Sequence, residues 1–366
     1  MNATGTVAVP GRVNLIGEHV DYHNLPVLPI AIGRRTRITY RSRGDRRIVA
    51  SSAGQPAPVD FEWENPLKPG CPGDWANYVK AAAQAVAGRW GVLRGIDAEV
   101  TSDLPPAAGL SSSSALLTGV TLALLRANGI QASFEELMEV LPEGEYFVGT
   151  RGGGMDHAAV LAGRAHHAVL IHFNPLSAEP VPIPEGWSFL LAHSLTCAEK
   201  SGAVRAEYNA RRTAGDSALA KSGVGSYREA IGMEPPAGCT EMERDAFLHV
   251  TGEGARVLEA VEALRAADAV RFGRLLNDSH TSMRDLLRIS TPALDHVAEL
   301  AREAGALGAR LTGAGFGGFV VIFCRSGQRG AIREELMRRH YSQQPGFDPA
   351  VHLLDAEASN GALYGE

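Results

Sequence analysis

Four consecutive serines, Ser111, Ser112, Ser113 and Ser114, follow the small residues Ala107, Ala108 and Gly109 and open an apolar run that reaches Ala127. Pro105 and Pro106 stiffen the approach. A small-residue loop feeding a helix start presents unpaired backbone N–H groups and the positive end of the helix dipole. With hydroxyls added, it suits a phosphate group. An ordinary capped helix is the plainer alternative, but one cap needs one serine. Residues 107–113, which include Leu110, are therefore the candidate nucleotide-binding loop.

Phosphoryl transfer also needs a metal, a group that orients or deprotonates the acceptor, and a cation near the moving charge. Asp156 follows Gly152, Gly153, Gly154 and Met155, an arrangement that lets a carboxylate approach a hydroxyl closely. Glu145 would complete a magnesium shell with Ser113 and phosphate oxygens, because magnesium takes few protein ligands and prefers hard oxygen donors. Arg12 supplies the cation. Glu18, His19 and Asp21 place two carboxylates and an imidazole within four residues. Carboxylates accept hydrogen bonds from adjacent hydroxyls, so a polyol or sugar is the ligand they fit. Each feature has a plainer reading: a solvated turn for the trio, a helix-capping aspartate for Asp156, a surface helix residue for Glu145. For the trio, Arg12, Asn14 and Gly17 in the same compact run favour the chemical one; for Asp156 and Glu145 both readings stay open.

Other frameworks are excluded by context. Gly313, Gly315 and Gly318 match the spacing of a dinucleotide-binding turn, yet the apolar run 319–324 follows where that turn needs a helix. The segment reads as a glycine turn between two strands. The chain has no G-x-x-x-x-G-K-[ST] and no protein-kinase catalytic-loop set. Ser113 also stands where a nucleophile elbow would need glycine.

The elements that must position these groups occupy 366 residues, a length that fits two domains or one large α/β unit. A formal charge of −6 gives no general attraction to nucleic acid or anionic lipid. The four cysteines are far apart and read as free thiols, and no leader or membrane-spanning run is evident, so a cytoplasmic protein without nucleic-acid or membrane partners is expected. Apolar patterning predicts strands at 6–9, 27–32, 34–41, 47–50, 96–100, 167–173 and 187–192. The polar run 11–24 and the proline-rich run 174–186 read as connections. Helices are expected after Asp74, after the serine loop, from Ser133 through Val140 with a short one following, and over 255–276. A further helix has Thr291 as N-cap and Pro292 in its first turn. The division between halves is expected at residue 194, giving 1–193 and 194–366.

These segments resemble the galactokinase family of the GHMP kinases. GRVNLIGEHVDY at 11–22 is similar to its sugar signature, AAGLSSSSAL at 107–116 to its phosphate loop and GARLTGAGFGG at 308–318 to its third motif. Between these, DWANYVKA at 74–81, GGGMD at 152–156, EYNARR at 207–212 and residues 277–295 resemble further family segments in the same order. The resemblance implies a two-lobed α/β (α+β) GHMP-kinase fold with the active site in the inter-lobe cleft. It also implies ATP- and magnesium-dependent phosphorylation of the anomeric hydroxyl of galactose. Asp156 is then the base and Arg12 the residue that lowers its pKa and stabilises transferring charge. Glu18, His19, Asp21, the backbone at Gly153, and Tyr208 would contact the sugar, Ala107 to Ser113 the ATP, and Ser113 and Glu145 the magnesium. The 308–318 turn would lie beside the phosphates. A monomer is expected. His157 and GGGMD keep an N-acetylgalactosamine 1-kinase open as the acceptor alternative, and a non-catalytic ATP and galactose sensor is the alternative from another class.

Overall fold

A computed structural model describes residues 3–55, 57–71, 73–105, 109–149, 152–196 and 202–364, with 202–205 described as backbone only. The first sheet is built from β1 (Thr4–Ile16), β2 (Leu28–Ser42), β3 (Arg47–Ser52), β4 (Val59–Glu62) and β5 (Ile96–Ser102), in the order β1-β2-β5-β3-β4. Only the β3–β5 pairing is parallel. Helices α1 (Ala76–Trp90), α2 (Ser112–Ala127), α3 (Phe134–Phe147) and α4 (Met155–Ala162) belong to this half, followed by the hairpin β6 (His167–Phe173) and β7 (Leu176–Pro182).

The second half holds β8 (Trp187–His193), α5 (Gly202–Ser222), α6 (Tyr227–Ala230), α7 (Glu241–Arg265), α8 (Ala269–Asp285), α9 (Pro292–Glu303), β9 (Gly308–Leu311), β10 (Phe319–Arg325), α10 (Arg329–Arg339), α11 (Pro349–His352) and β11 (Leu353–Asp355). Its antiparallel sheet runs β11-β8-β10-β9. Sheet membership therefore puts β8 with the C-terminal half, whereas a division at residue 194 cuts behind it.

Several expected boundaries move, each for a physical reason. The strand expected at 6–9 continues through the polar signature to Ile16, and every residue from Val9 onward is buried. Arg12 is tolerated there because Asp156 pairs with it, and the backbone carbonyl of Asn14 accepts from Arg310 Nη1 and Thr312 Oγ1 at 3.1 Å each, whereas the Asn14 side-chain amide has no partner among the described residues. The runs 27–32 and 34–41 form one strand, β2. The segment from Ser133 is a single helix, α3, with Pro142 inside it and a Ser133–Glu136 capping box at its start. An interior proline costs about 3 kcal/mol, and burial of Leu137, Met138, Val140 and Leu141 offsets it. The proline-rich run contains β7, an edge strand on which Pro180 and Pro182 are tolerated. The helix expected over 255–276 is two helices: Ala267 turns left-handed at φ 53° and Asp268 caps α8 by accepting from the Arg271 N–H. Thr291 caps α9 with Pro292 in the first turn, as its spacing predicts.

No helix among the described residues is long and apolar enough to cross a membrane. Cys71, Cys239 and Cys324 are free thiols.

Candidate active site

Arg12 enters the site from the middle of β1, where the pairing with β2 slips in register between Pro10 and Arg12. Gly11 beside it must be glycine: a Cβ there would lie 2.4 Å from Leu104 Cδ2 and 2.8 Å from the Leu110 carbonyl oxygen. Buried Arg12 donates through Nε to Asp156 Oδ1 at 2.7 Å, and its Nη2 lies 2.6 Å from the same oxygen. Nη1 donates to the Gly109 carbonyl at 2.5 Å, and the Arg12 amide to that of Leu110 at 3.3 Å. One guanidinium thus ties the proposed base to the serine loop.

Asp156 sits in the first turn of α4, where the helix dipole favours a carboxylate. Its second oxygen, Oδ2, accepts from Ser111 Oγ at 2.6 Å and from Ser114 Oγ at 3.4 Å. Burial pushes the Asp156 carboxyl up. The Arg12 charge, the Ser111 and Arg12 hydrogen bonds and nearby His157 outweigh that and hold it below the usual range. Ser111 precedes α2 at φ 59° and does not cap it, which leaves its hydroxyl for Asp156. Leu110 is buried, and Ser112 and Ser113 are half-buried in the first helical turn. Ala107 and Ala108 lie outside the described residues.

Asp21 performs the matching anchorage on the other side. Its Oδ2 accepts from the Gly153 amide at 3.1 Å and the Met155 amide at 3.4 Å, fastening the start of α4 to the signature segment. The approach is so close that a Cβ on Gly153 would lie 2.3 Å from the Tyr22 nitrogen. Among the described residues no cation forms an ion pair with Asp21. Burial and then the neighbouring Asp156 charge push its carboxyl up to about 6, against the opposing backbone hydrogen bonds from Met155 and Tyr22.

His19, at a left-handed φ of 58°, shares a 2.7 Å hydrogen bond between Nδ1 and the Tyr22 hydroxyl. Its ring lies 4.9 Å from that of Tyr208 on α5. Burial, then the nearby His249, pushes its imidazole down to about 3, so it is neutral at physiological pH. Burial likewise raises the Tyr208 phenol well above its ordinary value. Glu18 is buried beside these groups. Its Oε1 accepts from the Gly313 amide at 2.7 Å and Thr312 Oγ1 at 3.2 Å, with Arg310 Nη2 at 3.4 Å.

The glycine turn between β9 and β10 reaches the serine loop directly: a Cβ on Gly313 would lie 3.4 Å from the Gly109 carbonyl oxygen. Glu145, on α3, points to the same region. The hydroxyl that donates to it, at 2.8 Å, belongs to Ser114 and not to Ser113. Successive helical side chains are turned by about 100°, so Ser114 faces the protein while Ser113 faces outward. Buried His157 places Nε2 3.3 Å from Glu145 Oε1 and bonds Thr118 through Nδ1 at 3.2 Å. Among the described residues no three His, Cys, Asp or Glu side chains gather as a metal site.

Three residues of this site have no local signature in the sequence. Arg310 is fully buried and donates to the carbonyls of Asn14 and Leu15. His249 donates or accepts at Ser282 Oγ and meets the Glu18 carbonyl at 3.0 Å. Glu253, also fully buried, accepts from the Gly17 amide at 2.9 Å and Ser279 Oγ at 2.7 Å and pairs with Arg256 at 2.8 Å. Burial raises its carboxyl, but Arg256, His249 and Arg310 bring it down to about 2. The signal that would have found Arg310 is its position: an arginine in an otherwise apolar strand must have a buried partner.

Comparison with known proteins adds three family matches. The galactokinase galactose-binding signature matches residues 2–42, the GHMP kinases N terminal domain 77–164, and the GHMP kinases C terminal domain 260–343. The galactokinase of Actinobacillus pleuropneumoniae serotype 5b is 33% identical over 367 residues, covering 97% of this chain and 94% of its own. That of Thermotoga maritima is 34% identical over 358 residues, covering 97% and 98%. Among solved structures, Lactococcus lactis galactokinase complexed with galactose superimposes with a TM-score of 0.87 at 26% identity, covering 97% of this chain and 94% of that one. Methanococcus jannaschii mevalonate kinase, with a TM-score of 0.66 at 17% identity over 98% and 99% of the two chains, shares the fold.

Proposed function

The chain belongs to the galactokinase family of the GHMP kinases, and on that premise we propose that it transfers the γ-phosphoryl group of ATP to the anomeric hydroxyl of galactose. The observation that carries this reading is the junction at Asp156. One oxygen is tied to Arg12 and the other to Ser111, so a single carboxylate joins the phosphate loop to the sugar segment.

In this reading the free N–H groups at the start of α2 and the left-handed turns at Gly109 and Ser111 hold the ATP phosphates. Asp21, His19, Glu18 and Tyr208 form the sugar wall. Neutral His19 offers one donor or acceptor to a hydroxyl without introducing charge. Asp156, ionised at neutral pH, aims the anomeric hydroxyl at the γ-phosphorus and takes its proton as the new O–P bond forms. The bond from phosphorus to the β-phosphate oxygen breaks and ADP leaves. A carboxylate held low is a weak base, which is sufficient here. In a loose, metaphosphate-like transfer the acceptor needs aim more than early deprotonation. Arg12 stabilises the charge that spreads over the transferring group.

The residues fit magnesium as a partner of the phosphates. Glu145 and the outward Ser113 hydroxyl are hard oxygen donors, too few to bind the ion without a nucleotide, which is how magnesium is ordinarily held in such sites. When bound, the ion would neutralise developing phosphate charge.

An ADP-release assay against galactose, N-acetylgalactosamine, glucose and arabinose tests the reading, with turnover expected on galactose. Turnover on N-acetylgalactosamine instead would reassign the acceptor, and binding of ATP and galactose without ADP release would make the protein a sensor. Asp156→Ala should lower kcat by about 10²–10⁴-fold while ATP affinity, read by calorimetry, changes only a few-fold. Equal loss of both would give Asp156 a purely structural role.

A further inference from the structure

Glu18 has two carboxylate oxygens, and the described residues engage one of them. Among the described residues, every hydrogen bond and ion pair of the carboxylate falls on Oε1: the Gly313 amide, Thr312 Oγ1 and Arg310 Nη2. All three donors come from one short stretch of the second half, the end of β9 and the glycine turn after it. Arg310 is itself held on the far side, because Nη1 donates to the carbonyls of Leu15 at 2.7 Å and Asn14 at 3.1 Å, and Nη2 lies 3.5 Å from Met283 Sδ. It is fully buried, which is rare for arginine unless the charge is paired; its two terminal nitrogens have partners, while Nε has none among the described residues.

This arrangement does more than support a phosphate-side turn. A carboxylate that accepts three donors on one oxygen loses its freedom to rotate, and the remaining oxygen is left in a fixed direction. We propose that Arg310 and Thr312 are positioning residues that clamp Oε1 of Glu18 so that Oε2 meets one particular hydroxyl of the sugar. The proposal rests on the sugar-kinase reading and deepens it. Discrimination at one carbon of the sugar is set by the third motif, contributed by the other half of the molecule. The glycine turn therefore serves the sugar as well as the nucleotide, since Gly313 touches both Glu18 and the loop at Gly109.

The test is a matrix of sugars against variants, read as affinity by calorimetry so that turnover is not required. Galactose and its 2-, 3-, 4- and 6-deoxy analogues are titrated into the wild-type protein, Glu18→Gln, Arg310→Lys and Thr312→Val. Thr312→Val is nearly isosteric and keeps the experiment decisive if Arg310→Lys does not fold. In the wild type, removal of the hydroxyl that faces Glu18 should weaken binding about tenfold or more, as expected for a hydrogen bond to a charged group. Glu18→Gln should shrink that single penalty. Arg310→Lys and Thr312→Val should shrink the same one to under about threefold, leaving the penalties at the other carbons in place.

A uniform loss of affinity for all five sugars in the Arg310 and Thr312 variants would overturn the positioning role, because misfolding or general loosening has no preference for one carbon. Retention of the single penalty in those variants, with its loss in Glu18→Gln, would also overturn it while leaving the sugar site intact. Failure of the wild type to bind galactose at all would refute the sugar reading itself, and the proposal with it.

Discussion

Two aspartates of the candidate site lie close enough to feel each other's charge, Asp21 buried and Asp156 half-buried, and their carboxyls move in opposite directions. Asp156 has a guanidinium on one oxygen and a serine hydroxyl on the other, and it is held below the ordinary range. Among the described residues Asp21 meets backbone amides, of Gly153, Met155 and Tyr22, and feels the negative charge of Asp156; it rises from 3.8 to about 6. Burial acts on both alike. Among the described residues the difference is the cation, and under the proposed function it separates the roles: the paired carboxylate stays charged for proton and phosphoryl chemistry, while Asp21 anchors backbone and sugar at a cost to its ionised form.

Removing the cation should make the two alike, and this gives the largest expected effect. Arg12→Met should lower kcat by about 10²-fold or more through lost charge stabilisation. It should also destabilise the fold by about 3 kcal/mol, the lower end for breaking a buried pair, because the Asp156 side chain keeps 28% exposure. In the wild type the depressed Asp156 pKa contributes stability that is present above its unfolded value and is lost as pH falls through the lower folded one. Arg12→Met should lack that acid-dependent loss in urea titrations, and the acid limb of its residual pH–rate profile should shift upward. Arg12→Met combined with Asp156→Asn should recover most of the stability and none of the activity. A double variant no more stable than the single one would show that the pair is not what separates the aspartates.

Asp21→Asn sharpens the comparison from the other side. The folded carboxyl binds a proton that the unfolded one has released between pH 3.8 and about 6, so wild-type stability should fall as pH rises through that window and stay lower above it. The asparagine oxygen still accepts from Gly153 and Met155. At pH 7.5 the variant should therefore be more stable than the wild type by roughly 1–3 kcal/mol, and the advantage should vanish below pH 4. Urea melts at the two pH values check this, with galactose affinity expected to fall as the charged acceptor is lost. An advantage that persists at pH 4 would mean that ionisation of Asp21 is not its source.

The same contrast explains what could be read from the chain before its structure. Features set by neighbours in sequence were legible: Thr291 and Pro292 at the start of α9, the glycine turn joining β9 and β10, and the short loop before α2. The sequence singled out Arg12, Asp156, Asp21 and Glu18 as candidates, and their side chains come together in one region of the structure. What the residue types alone could not give is who pairs with whom. The Arg12–Asp156 pair came only as an implication of the resemblance, and Arg310 finds Glu18 only through tertiary contact. For the same reason the polar half of β1 looked like a loop. Its buried carbonyls are satisfied by Arg310 and Thr312, which no local pattern connects to Asn14. Glu145 was expected beside Ser113 at a magnesium ion; its hydrogen bond to Ser114 was not anticipated. The helix expected to end at Val140 runs on through Pro142 to Phe147, because its face packs against the core.

Ser111 provides the finest test, because two roles for it predict different observables. A capping serine at the start of α2 would contribute about 1 kcal/mol to folding through a bond to a helical amide. In the structure it makes no such bond, and its hydroxyl instead donates to Asp156 Oδ2 at 2.6 Å. Ser111→Ala should therefore leave the melting temperature within about 2 °C of wild type, while kcat/KM falls about 3- to 10-fold for one lost hydrogen bond to a charged group. The Asp156 carboxyl should move part of the way toward the ordinary value, since only one of its depressing contacts is gone, so the acid limb of activity should shift less than in Arg12→Met. A large loss of stability with an unmoved acid limb would return Ser111 to the capping role and leave Arg12 as the sole source of the difference between the two aspartates.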